Sequence, residues 1–270
     1  MVLELDTRQR AMLQEMGVHV WLPERVPVAA TGTLAEEQSA SPAPPPGQPQ
    51  RTQAVAVPVR SASAPGQPLA LQDMDWDALA QSAAICQACG LYAGRKQSTL
   101  CAPATAVQAD WMVVGDPPDE DEDHLGQPFA EQAGVLLDNM LKAVDASRNG
   151  QARQGAYLCN VVKCRPPAGR LPQAADLQQC AQYLQREIAL VQPKLILALG
   201  RFATQLLLQE HPEQASLPLG KQRGTVYHYQ GIPVVVSYHP KVLLRASADK
   251  AKAWADLCLA LDVLEGAHLQ

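Results

Sequence analysis

Four of the seven cysteines place the strongest constraint on how this chain can fold. Cys86 and Cys89 form a Cys-x2-Cys pair, and Cys164 and Cys180 follow much later. This spacing suits one metal centre that ties an early loop to the middle of the chain. Four thiolates suit either Zn²⁺ or an iron–sulfur cluster, and the spacing alone does not choose between them. Buried free thiols are the alternative to a metal site.

The remaining composition points to a reducing compartment. The cysteine count is odd and no charged-then-apolar signal segment opens the chain, which argues against a disulfide framework. No apolar run approaches the roughly 18 residues that cross a bilayer. We therefore expect a cytoplasmic protein without membrane contact. We also expect a monomer, with a core built from the 47% of residues that are hydrophobic.

The charge distribution is uneven although the net charge is only −5. Residues 71–140 carry 12 acids and 2 bases, whereas residues 141–250 carry 14 bases and 6 acids. One part of the folded chain could therefore present a basic face to phosphates, and ordinary surface charge is the alternative. Arg165, Lys241 and Arg245 within the basic part are the candidates for contacts with nucleic-acid phosphates.

Composition divides the chain into three segments. Residues 1–28 form a short peptide in which residues 5–22 combine a helical pattern with an apolar tail. This peptide either docks a protein partner or packs on the core. Residues 29–70 are rich in proline and alanine and predict a disordered linker. Residues 71–270 are predicted to form the functional domain.

Strand and helix patterns alternate from residue 72 onward, with a helix predicted at 173–191, a buried strand at 195–199 and two short strands at 224–229 and 232–237. Alternation of this kind predicts a central, mainly parallel sheet with helices on both faces. Ligands bind beyond the carboxyl ends of such strands. The notable polar segments follow strand ends at residues 115–129, 160–170 and 237–245.

Three side chains in these segments suit recognition of a nucleobase. Phe129 offers a flat face for stacking, or else a core anchor. Asn160, at a strand end, can pair with a base edge because an amide both donates and accepts hydrogen bonds. His239 precedes Pro240, which favours an extended backbone and a fixed imidazole.

Six separated motifs together resemble the family 4 uracil-DNA glycosylases. They are Cys-x2-Cys, G-[DE]-x-P-x-x-[ED], G-x-PF-x-x-x-AG-x-LL, N-x-V-K-C-RPP, a further cysteine and HP-x-x-LLR. The resemblance covers residues 85–264. It implies a three-layer α/β/α sandwich with a central, mainly parallel four-stranded sheet, and uracil-containing DNA as substrate. It also implies a [4Fe-4S] cluster on Cys86, Cys89, Cys164 and Cys180.

The resemblance also implies residue roles. Phe129 stacks on uracil, Asn160 reads its edge, and His239 donates to uracil O2 as negative charge develops. Asp116 and Glu122 position water or support the sugar cation. Hydrolysis of the N-glycosidic bond is therefore the expected reaction, in base-excision repair and after base flipping.

The chain departs from the family pattern at several positions. Asp116 replaces the usual glutamate, Pro117 and Lys241 replace small residues, and Gly169 stands near an expected asparagine. These changes leave open a weak or inactive DNA-binding accessory protein. A redox or cluster-sensing protein is a third hypothesis. A DNA-crosslinking relative is unsupported because no histidine lies between His124 and His211.

Overall fold

The structure of the protein is a computed structural model, and it describes residues 71–103, 107–167 and 170–267. The predictions for the peptide at 1–28, the linker at 29–70 and Gly169 fall outside these residues. They therefore stay predictions.

The centre of the fold is one mainly parallel β-sheet. Its strands are β1 (Ala109–Gly115), β2 (Ala152–Asn160), β3 (Leu195–Leu199), β4 (Val226–Tyr229) and β5 (Ile232–Ser237). They lie in the order β2-β1-β3-β5-β4, and every pair is parallel except β4 with β5. The predicted mainly parallel sheet is confirmed, but the count of four strands is wrong because β4 adds an antiparallel edge.

Sequence explains the strand types. Every residue of β1 and β3 is buried, as continuous apolar runs in a sheet covered on both faces should be. The turn between β4 and β5 is Gln230-Gly231, with φ values of 50° and 82°. Two successive positive φ values suit a tight hairpin whose twist matches its strands. The antiparallel edge therefore follows from this turn.

Nine α-helices accompany the sheet in the described residues. They are α1 (Trp76–Ile85), α2 (Glu120–Leu125), α3 (Glu131–Lys142), α4 (Ala174–Val191), α5 (Arg201–Leu207), α6 (Pro212–Ala215), α7 (Leu219–Gln222), α8 (Pro240–Arg245) and α9 (Lys250–Ala267). Short 3₁₀ turns lie at Gly90–Gly94 and Ser247–Asp249. Among these helices, none is long and apolar enough to span a membrane.

Two apolar clusters sandwich the sheet. One contains Leu79 of α1, Leu184 of α4 and Leu206 of α5. The other contains Leu137 of α3 and Leu257 of α9. Strand side chains alternate between the two clusters, as the period of a β-strand requires. The three-layer α/β/α architecture is therefore confirmed.

The parallel strands end level with one another. Gly115 pairs with both Asn160 and Leu199, and Leu199 pairs with Ser237. The segments that follow β1, β2, β3 and β5 consequently leave the sheet at one edge. Since β2 and β3 flank β1 on opposite sides, a crevice is expected at this edge.

Candidate active site

The acidic segment after β1 folds into α2 rather than remaining an open solvated loop. Asp119 caps the helix: its Oδ1 accepts from the Glu122 N–H at 3.0 Å, and Glu122 Oε2 accepts from the Asp119 N–H at 3.0 Å. Glu122 and Asp123 are both buried. Asp123 Oδ1 accepts from the backbone N–H groups of Lys96 and Gln97. The Asp-x-x-Glu capping pattern was the signal from which this helix could have been predicted.

Glu122 organises the site through both carboxylate oxygens. Oε1 accepts from the Phe129 N–H at 2.7 Å and from Asn160 Nδ2 at 3.1 Å. Besides the cap of Asp119, Oε2 accepts from Lys241 Nζ at 2.7 Å. Each oxygen therefore holds two donors. The Glu122 carboxylate therefore holds the backbone of Phe129 and the side chain of Asn160, the two residues predicted to bind the base.

Phe129 adopts a costly backbone conformation. Its φ is 53°, which bulky non-glycine residues rarely adopt. Its ring is buried against Gly115, where an added Cβ would lie 2.5 Å from the Phe129 Cζ atom. Strain of this kind persists where the surroundings enforce it, and it is concentrated at functional sites. Here the hydrogen bond from the Phe129 N–H to Glu122 and the packing of the ring against Gly115 hold the backbone in this conformation.

Asn160 lies at the carboxyl end of β2 and is fully buried. Its Nδ2 donates to the Asp116 carbonyl at 2.9 Å as well as to Glu122. Its Oδ1 is buried and has no hydrogen-bond partner among the described residues. A buried unpaired acceptor is uncommon, and such an atom can serve in ligand binding.

His239 is the N-cap of α8, and its Nδ1 accepts from the Lys241 N–H at 3.2 Å. Its ring stacks on that of Phe129, with centroids 5.3 Å apart and planes 15° apart. Burial, reinforced by the charge of Lys241, lowers the pKa of His239 to about 3. The imidazole is therefore neutral near pH 7. Because Nδ1 accepts, the ring proton lies on Nε2, which is a hydrogen-bond donor.

The Asp116 carboxylate is held by backbone N–H groups. Its Oδ1 accepts from the N–H groups of Phe202 at 2.7 Å and Ala203 at 3.3 Å, and its Oδ2 accepts from that of Arg201 at 3.3 Å. The carboxylate therefore lies against the start of α5. Burial raises its pKa despite these donors. The Asp116 backbone carbonyl, rather than its carboxylate, contacts Asn160.

The three predicted DNA-binding cations occupy unlike positions. Lys241 Nζ is 2.5 Å from Asp119 Oδ2 and 2.7 Å from Glu122 Oε2, so its positive charge is balanced by two carboxylates within the site. Arg165 pairs at 3.3 Å with the exposed Glu120 and lines an open groove beside the site. Arg245 is exposed at the end of α8. Lys241 also lines the groove that contains Arg245, but its ammonium is already paired with two carboxylates.

The four predicted metal ligands, Cys86, Cys89, Cys164 and Cys180, line one small pocket. Arg95 Nη1 donates to Cys164 Sγ at 3.2 Å, and the Lys163 N–H donates to Cys180 Sγ at 3.4 Å. Burial raises the pKa of the Cys89, Cys164 and Cys180 thiols. Among the described residues, no three histidine, cysteine or acidic side chains converge closely enough to hold a single metal ion.

Cys159 and Cys258 lie outside this pocket. Cys159 is buried in the core, whereas Cys258 is only half-buried on α9. An apolar run on a helix that covers the sheet leaves one side partly open to solvent.

Lys163 connects the cysteine pocket with the base-binding residues. Its side chain is buried, forms an ion pair with the equally buried Glu187 and donates to the Asn160 carbonyl at 2.7 Å. Although burial opposes it, the charge of Glu187 raises the pKa of Lys163. Tyr157 completes the network by donating to Glu187 Oε1 at 2.8 Å. The lysine is thus structural here and does not meet phosphates.

The sequence is similar to a known protein family and to several curated proteins. Residues 102–258 match the family model described as the uracil DNA glycosylase superfamily. Three curated relatives carry the name type-4 uracil-DNA glycosylase. That of Archaeoglobus fulgidus is 33% identical over 59% of this chain and 78% of its own length. That of Pyrobaculum aerophilum is 32% identical over 69% and 93%, and that of Thermotoga maritima is 31% identical over 62% and 82%.

Proposed function

Because this chain belongs to the uracil-DNA glycosylase superfamily, we propose that it removes uracil from DNA by hydrolysing the N-glycosidic bond. The observation that carries the proposal is the meeting of Phe129, Asn160 and His239 around the buried Glu122. These side chains come from segments that follow three different strands. Their convergence supplies an aromatic face, an amide and an imidazole donor at one edge of the sheet.

The amide of Asn160 gives the site a means of choosing uracil. Both Nδ2 hydrogens are engaged, by the Asp116 carbonyl and by Glu122, so Oδ1 is left as the free acceptor. Uracil presents an N3–H donor, which Oδ1 can accept. Cytosine presents a lone pair at N3, which would leave the buried Oδ1 facing another acceptor. An acceptor left unpaired on burial costs about 1–3 kcal/mol, so uracil is favoured.

His239 supplies the donor for the departing base. Breaking the N-glycosidic bond leaves positive charge on the sugar and an anion on uracil. A neutral imidazole with its proton on Nε2 can donate to uracil O2 as that charge develops. Preorganised donors of this type supply a large part of enzymatic rate enhancement. Glu122 and Asp116 complete the predicted acidic pair. We assign Glu122 to holding Phe129 and Asn160, and Asp116 to placing the Asn160 amide and the start of α5.

Access for DNA comes from the grooves on either side of the site. Arg165 and Arg170 line one groove together with Phe202. Arg245 lines the other, beside Gln132. Cations at these positions suit backbone phosphates that flank a flipped nucleotide. We therefore propose uracil-containing DNA as the partner.

The cysteine pocket fits a [4Fe-4S] cluster. Its donor set is four thiols in one pocket, and two of the sulfurs already accept a charged or backbone N–H. In such a cluster each thiolate binds its own iron, so the sulfurs lie farther apart than around one Zn²⁺ ion. Four thiols also suit Zn²⁺, and the cluster is preferred because the sequence resembles the family 4 enzymes. The cluster's role would be to pin residues 86–89 to the segment after β2.

The stacking of His239 on Phe129 favours a second candidate function, a DNA-binding accessory protein without catalysis. The rings contact each other, so no base fits between them as they stand. A labelled oligonucleotide with one uracil separates the two functions, and matched thymine and cytosine strands serve as controls. Alkali-sensitive cleavage at uracil alone is the result expected for the glycosylase. Retarded migration without cleavage on any strand would support the accessory protein instead.

A further inference from the structure

A single lysine joins the two loops that carry the catalytic groups. The Lys241 ammonium contacts Asp119 and Glu122 in the segment after β1. The backbone N–H of the same residue donates to His239 Nδ1 in the segment after β5. Lys241 thus touches both the buried carboxylate and the imidazole of the site.

Charge balance explains why the contact matters. Asp119 and Glu122 are the two acids of one capping box, and Glu122 is only 1% exposed. A buried carboxylate is stable when a counter-charge and hydrogen bonds compensate for lost water. In the described part of the chain, no cation other than Lys241 forms an ion pair with either acid. Lys241 therefore supplies the positive charge for both.

We propose that Lys241 is a positioning residue, and that its ammonium latches α2 to α8 and keeps Glu122 oriented toward Phe129 and Asn160. The proposal rests on the function proposed above, since it concerns the geometry in which uracil is captured. It replaces the expectation that Lys241 contacts a DNA phosphate. The side chain is 31% exposed, and its ammonium is already held by two carboxylates.

Lys241→Met tests the latch because it keeps most of the aliphatic stem and removes the charge. Without the Lys241 charge, Asp119 and Glu122 have no counter-charge, so α2 should move away from α8. Catalytic groups displaced in this way can lower a rate by up to about 100-fold. We expect a 10- to 100-fold loss in the single-turnover rate of uracil excision at saturating enzyme. The salt dependence of DNA binding should not change. A phosphate contact would instead reduce its slope by about one and overturn the proposal.

Hydrogen exchange gives a readout that does not depend on activity. The amides of Asp119, Glu122 and Phe129 all donate within the latched segment. Lys241→Met should therefore speed exchange across residues 119–129. Lys142→Met removes an exposed lysine at the end of α3 and should leave both exchange and rate unchanged. Unaltered exchange in Lys241→Met would refute the latch.

A double-mutant cycle with Asp119→Asn separates positioning from general destabilisation. Asparagine caps helices about as well as aspartate, so α2 should persist. Lys241→Met and Asp119→Asn should together cost less than the sum of the single losses, because the residues act as a pair. Additive losses would contradict the proposal. If Lys241→Met does not fold, Lys241→Arg keeps the charge and should retain both rate and exchange protection, whereas loss of either would contradict it.

The proposed function and the latch can fail separately. Wild-type protein that excises no uracil while Lys241→Met still speeds exchange would refute the function and leave the latch standing. Wild-type excision that Lys241→Met leaves unchanged would refute the latch alone.

Discussion

The ring of His239 stacks on the ring of Phe129 at a centroid distance of 5.3 Å, so the residues expected to bind a flipped base cover each other. Both side chains are buried. If the proposed function is right, base capture requires these rings to separate so that uracil can stack on Phe129.

The ionisation of His239 can be measured directly. Because burial, with the charge of Lys241, lowers its pKa to about 3, its ring should not titrate between about pH 5 and 8. Nuclear magnetic resonance of labelled imidazoles checks this. A titration of His239 near its ordinary value of 6.5 would contradict the buried, neutral imidazole.

The same pKa has a consequence for stability. Between the lowered value of about 3 and the ordinary value of 6.5, the unfolded chain binds a proton at this site that the folded chain does not. The contribution of His239 to stability is therefore present above pH 6.5 and is lost as the pH falls toward 3. Between about pH 3 and 6.5, the melting temperature of His239→Gln should therefore change less with pH than that of the wild type.

Asn160→Ala removes the proposed reader of the uracil edge. The variant should excise uracil more slowly and discriminate less between uracil and cytosine, because Oδ1 no longer pairs with N3–H. The ratio of single-turnover rates on uracil and cytosine strands measures this effect. Asn139→Ala, at an exposed position on α3, is the matched control. An unchanged ratio in Asn160→Ala would place recognition elsewhere.

Gly115→Ala should damage the site without touching any polar group. The added Cβ would lie 2.5 Å from the Phe129 ring, so the ring must shift. We expect a lower melting temperature and a lower excision rate. Gly266→Ala, in the last turns of α9, meets open space and is the control. Wild-type values for Gly115→Ala would show that Phe129 does not need this position.

Cys164→Ala tests the proposed cluster. Anaerobically purified wild-type protein should contain about four irons per chain and show broad brown absorbance. The variant should lose iron and melt at a lower temperature, because its thiolate would pin residues 86–89 to the segment after β2. Cys258→Ala lies outside the pocket and should keep the iron. Stoichiometric zinc without iron in the wild type would refute the assignment.

Much of the fold could be predicted because its signals are local. The strand predicted from the apolar run at residues 195–199 has the same bounds as β3. The helix predicted at residues 173–191 begins one residue before α4 and ends with it. The short strand predicted at 224–229 is β4, which pairs antiparallel with β5 through a hairpin, so the count of four strands is wrong. Whether a short strand joins a sheet is decided by its pairing, which no local pattern contains.

The meeting of Glu122, Phe129 and Asn160 follows from the topology, because Glu122 and Phe129 come after β1 and Asn160 ends the neighbouring β2. The hydrogen-bond partners of the Asp116 and Lys241 side chains could not be predicted. Those contacts depend on how α5 and α8 lie against the segment after β1, which no local pattern contains.

His239→Ala is the most direct test of the central claim, which is that this site excises uracil with a preorganised neutral imidazole. The measurement is the single-turnover rate on a uracil-containing oligonucleotide, alongside the dissociation constant for the same DNA. We expect active wild-type protein, and a variant that is about 100- to 1000-fold slower with nearly unchanged affinity. Wild-type excision that survives His239→Ala at full rate would contradict the account.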